Sequence, residues 1–253
     1  MDDPRARRRF LIGAGTALAS GAAAQVAQAQ ANPAAAHPAN DSQTARSTTT
    51  PAGATAPAAA GAIATYELLS ATEIAFYTAV ADQMIPADEL SGSGSDCGVV
   101  VFIDRQLNGA WGGGAKMYRG GPFRKAKPEY GYQLSLTPRE FFAAGVAAVN
   151  RWTQATFGHP FDGLTHPQQI QALHDLEGGK APLQGINPRQ FFDALLSLVM
   201  EGFFADPMYG GNKDKVSWKM VGFPGLPAFY KDAALQFRGK KYAPAPKSIA
   251  DFS

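Results

Sequence analysis

The sequence predicts an all-α protein, a single helical domain of five to six helices with two long irregular connections. Three observations carry this. Apolar residues recur at helical spacing in the segments rich enough to build a core. Ser, Thr or Asn, with Glu or Gln three positions on, precedes several of those segments, and glycine or proline closes them. Runs that alternate apolar and polar residues at strand period hardly appear.

Taken in order, Ser70 and Glu73 make a capping-box pair ahead of "IAFYTAVADQMI", where Ile74, Phe76, Tyr77, Val80, Met84 and Ile85 share a face and Pro86 ends the run. Asp96 is the expected N-cap of a shorter helix, "VVVFIDRQL", which Gly109 and the glycines at 112–114 stop. Thr137, Pro138 and Glu140 open "REFFAAGVAAVNRWTQATF", with proline at the first helical position, and Gly158 closes it. Thr165 and Gln168 open "QQIQALHDLEGG", stopped at Gly178, and Asn187 with Gln190 opens "QFFDALLSLVMEGFF". A last helix is expected within "LPAFYKDAALQF", followed by a polar tail. The connections 108–136 and 205–225 are long, and both hold aromatic residues that an ordinary solvated loop would not carry.

The N-terminus reads as a targeting segment rather than as part of the fold. Residues 1–29 combine a basic start with a mildly apolar run from Phe10 to Ala24, and Ala27 and Ala29 form a small-x-small cleavage site. Arg7, Arg8, Phe10 and Leu11 match a twin-arginine export signal, the route that carries proteins already folded; a general secretory signal is the alternative. The run is too short, and too rich in Ala and Gly, to span a membrane. Residues 30–65 are dominated by Ala, Pro and Thr and read as a disordered tether, which leaves 66–253 for the folded domain. Residues 1–29 carry two net positive charges, the same as the whole chain, so the remainder is near neutral. It has no electrostatic footprint for nucleic acid or an anionic membrane surface. The single cysteine, Cys97, excludes an internal disulfide and is expected buried or spare, with a disulfide to another chain as the alternative.

Motifs that carry chemistry are scarce. There is no Cys-x-x-Cys-His for covalent haem, no phosphate loop and no nucleophile elbow. The only Gly-x-Gly of note, Gly13 to Gly15, lies in the export segment. His174 and Glu177 share a helix face but lack the companion carboxylates of a metal bundle. Glu201, Asp206 and Asp214 are available as acid or base. Asp206 before Pro207, and Asn212 with Asp214, read better as turn residues that bond loop amides. On these residues alone the chain reads as non-catalytic, with catalytic, cofactor and metal residues all expected to be none.

The segment "EGFFADPMYGGNKDKVSWKMVGFPG", residues 201–225, is too apolar for a surface loop and too broken by glycine to be a helix. Its run from Gly202 to Asn212, then Trp218 and Gly222 to Gly225, resembles the signature of the gluconate 2-dehydrogenase subunit 3 family, with Ser217 where a glycine is more usual. Gly121 to Phe123, Gly131 to Gln133, the helix start at Leu136 to Pro138 and "FIDRQL" at 102–107 are also similar to that family. The resemblance implies the small subunit of a periplasmic flavin-dependent sugar or polyol dehydrogenase. In that arrangement an FAD-binding large subunit oxidises the substrate, and a multihaem cytochrome c subunit passes electrons to the membrane. The small subunit holds no cofactor, supplies the signal for the twin-arginine translocase and stabilises the large subunit at the outer face of the inner membrane. It further implies a partner interface at Phe203, Phe204, Asp206, Pro207, Tyr209, Gly210, Gly211, Asn212, Trp218, Gly222, Phe223, Pro224 and Gly225, with Tyr132 from the first loop. The same aromatics would also serve as plugs for the domain's own core, and the sequence leaves both open. A self-sufficient enzyme using Asp206 or His174, or a module binding a small ligand, are the competing readings.

Overall fold

The computed structural model describes residues 65–124, 126–127, 130–227 and 229–252. The targeting residues Arg7, Arg8, Phe10, Leu11, Ala27 and Ala29, and the tether to residue 64, lie outside them. The described residues hold seven α-helices and no strand: α1 Ala71–Met84, α2 Val99–Asn108, α3 Pro138–Phe157, α4 His166–Glu177, α5 Pro188–Phe204, α6 Val216–Val221 and α7 Lys231–Gln236. The all-α expectation therefore holds.

Helix starts follow local chemistry closely. Ser70 and Glu73, Thr137 and Glu140, and Thr165 and Gln168 form reciprocal capping boxes, and Asn187 accepts the Gln190 amide. The exception is α2. Its N-cap is Gly98, in the left-handed conformation, and not Asp96. The Asp96 carboxylate instead accepts the Ser93 amide and hydroxyl in the preceding turn, so it is spent three residues before the helix begins.

The core is built around α5, which packs against α1, α2, α3 and α4. Phe191, Leu195, Leu198 and Val199 of α5 meet Ile103 and Leu107 of α2, Phe141 and Phe142 of α3, and Phe76, Tyr77 and Val80 of α1 in one buried cluster. The rings of Phe141, Phe142 and Phe191 lie 5.7–6.1 Å apart in tilted or edge-on pairs. Helices α3 and α5 approach closely at Gly145, where a Cβ would stand 2.0 Å from the Phe191 ring. The Tyr77 phenol is fully buried without a hydrogen-bond partner among the described residues, and burial pushes its pKa up, so the group stays neutral.

One charged side chain sits deep in this core. Asp104 of α2 is 1% exposed and faces the segment that enters the domain. Its carboxylate accepts the backbone amides of Glu67, Leu68 and Leu69 at 2.8, 3.0 and 2.9 Å. Three donors replace the water that burial removes, and the chain's entry point becomes fixed to α2. Asn108, one turn on, donates to the Glu67 carboxylate and seats the same segment. Hydrogen bonds to charged groups each contribute about 1.5–3 kcal/mol. Asp104→Asn should therefore lower stability by about 2–3 kcal/mol in urea unfolding. It should also speed hydrogen exchange at the amides of 67–69 before any other part of the domain.

Candidate functional site

Residues 205–225 do not form an open loop. They make two short 3₁₀ turns, Pro207–Tyr209 and Lys213–Lys215, followed by helix α6. The sequence pattern missed α6 because six residues between glycine-rich flanks give no readable helical period. Around these turns Asn212, Asp214 and Lys215 hold φ of 46°, 57° and 58°, three left-handed non-glycine residues within four positions. Such a backbone persists only where its surroundings hold it.

Asn212 does the holding. It is wholly buried, and its amide nitrogen donates to the Ala205 carbonyl oxygen at 2.9 Å. Its amide oxygen accepts the Ser217 backbone N–H at 3.0 Å and the Ser217 hydroxyl at 2.8 Å. One side chain thus ties the end of α5 to the start of α6. Ser217, where the family pattern favours glycine, supplies a hydroxyl to this bracket and is itself fully buried. The Trp218 indole donates to the Phe204 carbonyl oxygen at 2.9 Å, a second tie between the same two helices. Gly211 passes directly over α5, and a Cβ there would meet the Gly202 carbonyl oxygen at 2.0 Å. The Lys213 amide donates to the Cys97 carbonyl oxygen and Arg105 reaches the Met208 carbonyl oxygen, so the segment is also fastened to α2 and the turn before it.

The C-terminal tail locks the outer side. Asp206 accepts the Met208 amide on one carboxylate oxygen and the Ile249 amide, 43 residues away, on the other. Gly225, at φ 71°, pairs in a parallel bridge with Lys247. Leu226 donates to the Lys247 carbonyl oxygen at 2.8 Å, and Lys247 donates to that of Pro224 at 3.0 Å. Lys215 and Asp251 form an ion pair at 2.5 Å, and the Ser248 amide donates to the same carboxylate at 2.7 Å. The Lys215 bond, and then the Ser248 amide, hold the Asp251 carboxyl below its usual range.

The expected interface residues divide by burial. Phe203, Gly211, Asn212, Trp218 and Gly225 are buried within this chain and build its scaffold. Phe203 belongs to the core cluster, and the Trp218 ring is 7% exposed beneath Phe223. Tyr132 is likewise committed inward. Its ring stacks on Phe141 at 4.0 Å and its hydroxyl donates to the Leu136 carbonyl oxygen. Asp206, Pro207, Gly210 and Pro224 are half-buried, whereas Phe204, Tyr209, Gly222 and Phe223 are exposed. Met208, Met220, Val221, Ile249 and Phe252, which the sequence did not single out, are exposed large apolar side chains on the same tied elements. A lone methionine or isoleucine carries no pattern, and only the tail's return brings Ile249 and Phe252 here.

The catalytic alternatives find no constellation. Both Asp206 oxygens are occupied by backbone amides. Asp214 is exposed and makes no side-chain hydrogen bond among the described residues. His174 and Glu177 face each other at 3.4 Å on the exposed side of α4. Among the described residues no three His, Cys, Asp or Glu side chains gather as metal ligands, and no helix is long and apolar enough to cross a membrane. Cys97 is a buried free thiol whose pKa burial pushes up.

A model of the family described as gluconate 2-dehydrogenase subunit 3 matches residues 71–225, well over half of the chain. The chain belongs to that family. The match ends at Gly225, so it spans α1 to α6 and the whole bracketed segment, while α7 and the tail lie beyond it. Neither the comparison with curated proteins nor that with solved structures gave a match. Membership of the subunit 3 family makes this chain an accessory subunit of a dehydrogenase complex, the setting in which an ordered, exposed apolar face has a use.

Two outcomes are expected from the bracket. Asn212→Asp keeps the acceptor for Ser217 but sets an oxygen against the Ala205 carbonyl. It should cost about 2–3 kcal/mol in urea unfolding, the penalty for a buried polar group left unpaired. The Asp251 clasp should respond to pH with a definite sign. Its folded pKa lies below the unfolded value of about 3.9, so its contribution is complete above that pH and is lost as the pH falls through the folded value. Lys215→Ala should move the Asp251 titration upward, read by NMR at its carboxylate and at the Ser248 amide.

Proposed function

We propose that this chain is the small, non-catalytic subunit of an exported FAD-dependent dehydrogenase complex. It docks on the flavoprotein large subunit, escorts it folded through the twin-arginine translocase and stabilises it in the periplasm. The complex sits at the outer face of the inner membrane, where a multihaem cytochrome c subunit accepts electrons. The observation that carries the reading is the exposed ring set Phe204, Tyr209 and Phe223, 36–44% exposed, held out by a segment whose own backbone is fully tied down. A free protein gains nothing from presenting large apolar groups on an ordered scaffold, and a partner face gains most of its binding energy from them. Family membership supports the same role, and so does the Arg7-Arg8 motif with Phe10 and Leu11. The flavin and the haem belong to the partner subunits in this reading, and the chain contributes binding surface and the export signal.

Charge distribution supports the docking side of the proposal. Residues 202–253 hold eight Lys and Arg against four Asp, whereas residues 66–201 hold ten against fourteen acidic residues. The apolar face therefore lies in the basic part of the chain, which suits a partner face bordered by carboxylates.

The test is isolation of the tagged chain from the periplasm with an absorption spectrum of the eluate. A large co-eluting subunit with flavin bands is expected, and replacing Arg7 and Arg8 by lysine should remove both proteins from the periplasm. A lone colourless chain, exported whether or not a flavoprotein is made, would overturn the proposal. Met220→Ala combined with Phe223→Ala should weaken association roughly tenfold or more without changing helix content, since truncating a large apolar anchor at the centre of an interface costs about 1–2 kcal/mol or more.

A further inference from the structure

Where α5 ends, Phe102, Gln106, Glu201, Phe204, Ala205, Asp206 and Tyr209 surround a shallow, open depression of about 530 Å³. Within it, Glu201 is the acidic group whose bonding the fold leaves incomplete. Asp206 is saturated by the Met208 and Ile249 amides. The Glu201 carboxylate accepts no hydrogen bond and joins no ion pair among the described residues. Arg105, the nearest cation in sequence to Gln106, is turned to the Met208 carbonyl oxygen instead.

We infer that this depression is a socket for a cationic side chain, an arginine, of the partner subunit. The inference rests on the accessory-subunit reading above and names the contact through which that docking is fixed in register. Charge and shape both select the occupant. A guanidinium is planar and stacks on exposed aromatic rings such as those of Phe204 and Tyr209, while its fork of donors fits a carboxylate and the Gln106 amide oxygen. Glu201 is exposed on the rim of the depression, and the walls beside it push its pKa up by desolvation, with no cation of this chain opposing the shift. A cation arriving in the socket replaces the missing solvent, and the pairing strengthens as the interface closes. The position is also selective. The surrounding stretch is basic, so Glu201 offers a cation of an otherwise acidic partner face one place to settle, and a displaced register would set that cation against the lysines nearby.

The experiment uses the complex isolated through a tag on this chain, with the flavoprotein's rate of release followed at increasing salt. Glu201→Gln, which keeps size and removes charge, should speed release at least about tenfold, as expected when one partner of a desolvated charge pair is neutralised. Glu201→Lys should abolish co-isolation, and Tyr209→Leu, which removes one ring, should speed release by a smaller factor. The urea midpoint of the free chain should be unchanged in Glu201→Gln. Release from Glu201→Gln at the wild-type rate would overturn the socket while leaving the accessory role intact. A lowered urea midpoint would assign the carboxylate to this chain's own fold and overturn it as well. Failure of the wild-type chain to bring down any flavoprotein would remove the accessory reading itself, and the socket with it.

Discussion

Twenty-one residues without long regular structure lie on the surface between α5 and the tail, rich in rings and glycine, and they stay in one shape because a buried amide ties their start to the helix at their middle. The Asn212 amide uses both its nitrogen and its oxygen within the segment: the nitrogen donates to the Ala205 carbonyl on one side, and the oxygen accepts the Ser217 amide and hydroxyl on the other. Without it the left-handed turns at 212–215 would have no reason to persist, since each such residue is unfavourable on its own. Much else follows from that bracket. Trp218 reaches the Phe204 carbonyl because α6 starts where Ser217 is held. Gly211 can lie over Gly202 because the chain has been turned back upon α5. The exposed rings of Phe204, Tyr209 and Phe223 stand on a rigid base rather than collapsing inward, and a preorganised face binds at lower entropic cost than one that must form on contact.

The same logic operates at the other edge of α2. Asp104 is a charge in a core, and it is tolerated because three amides of the entering chain surround it. Residues 67–69 are therefore bonded to α2, the helix that also receives the bracketed segment through Arg105 and the Cys97 turn.

Helix positions were legible because their determinants are local. Three reciprocal capping boxes, prolines at the first helical position and stops at glycine are all contained within a few residues, and α1, α3, α4 and α5 start at or within a few residues of where those signals put them. Misreadings arose where a residue has two possible uses. Asp96 is a good N-cap by type, yet its turn to Ser93 takes the carboxylate first. Helix α7 is shorter than the apolar pattern suggested and begins at Lys231. Of the recognised segment, the family pattern marks the residues but not their direction. Phe203 and Phe204 are adjacent rings of one helix end, and only the turn of the helix decides that the first joins the core and the second faces out. Asp104 carries no mark in the sequence for a related reason: a buried acid on a helix is indistinguishable from a solvated one until its neighbours are known.

The clasp between the tail and the bracketed segment bears on the order of events during synthesis. The amide of Ile249 completes Asp206, and Lys247 pairs with Gly225, so the outer side of the segment lacks its final partners until residues some twenty to forty positions later have been made. The five larger helices precede that point and can pack while the chain is still attached to the ribosome. The ring-bearing face is thus finished last, and its sticky groups are least organised during the period when a nascent chain is most exposed to the wrong neighbour.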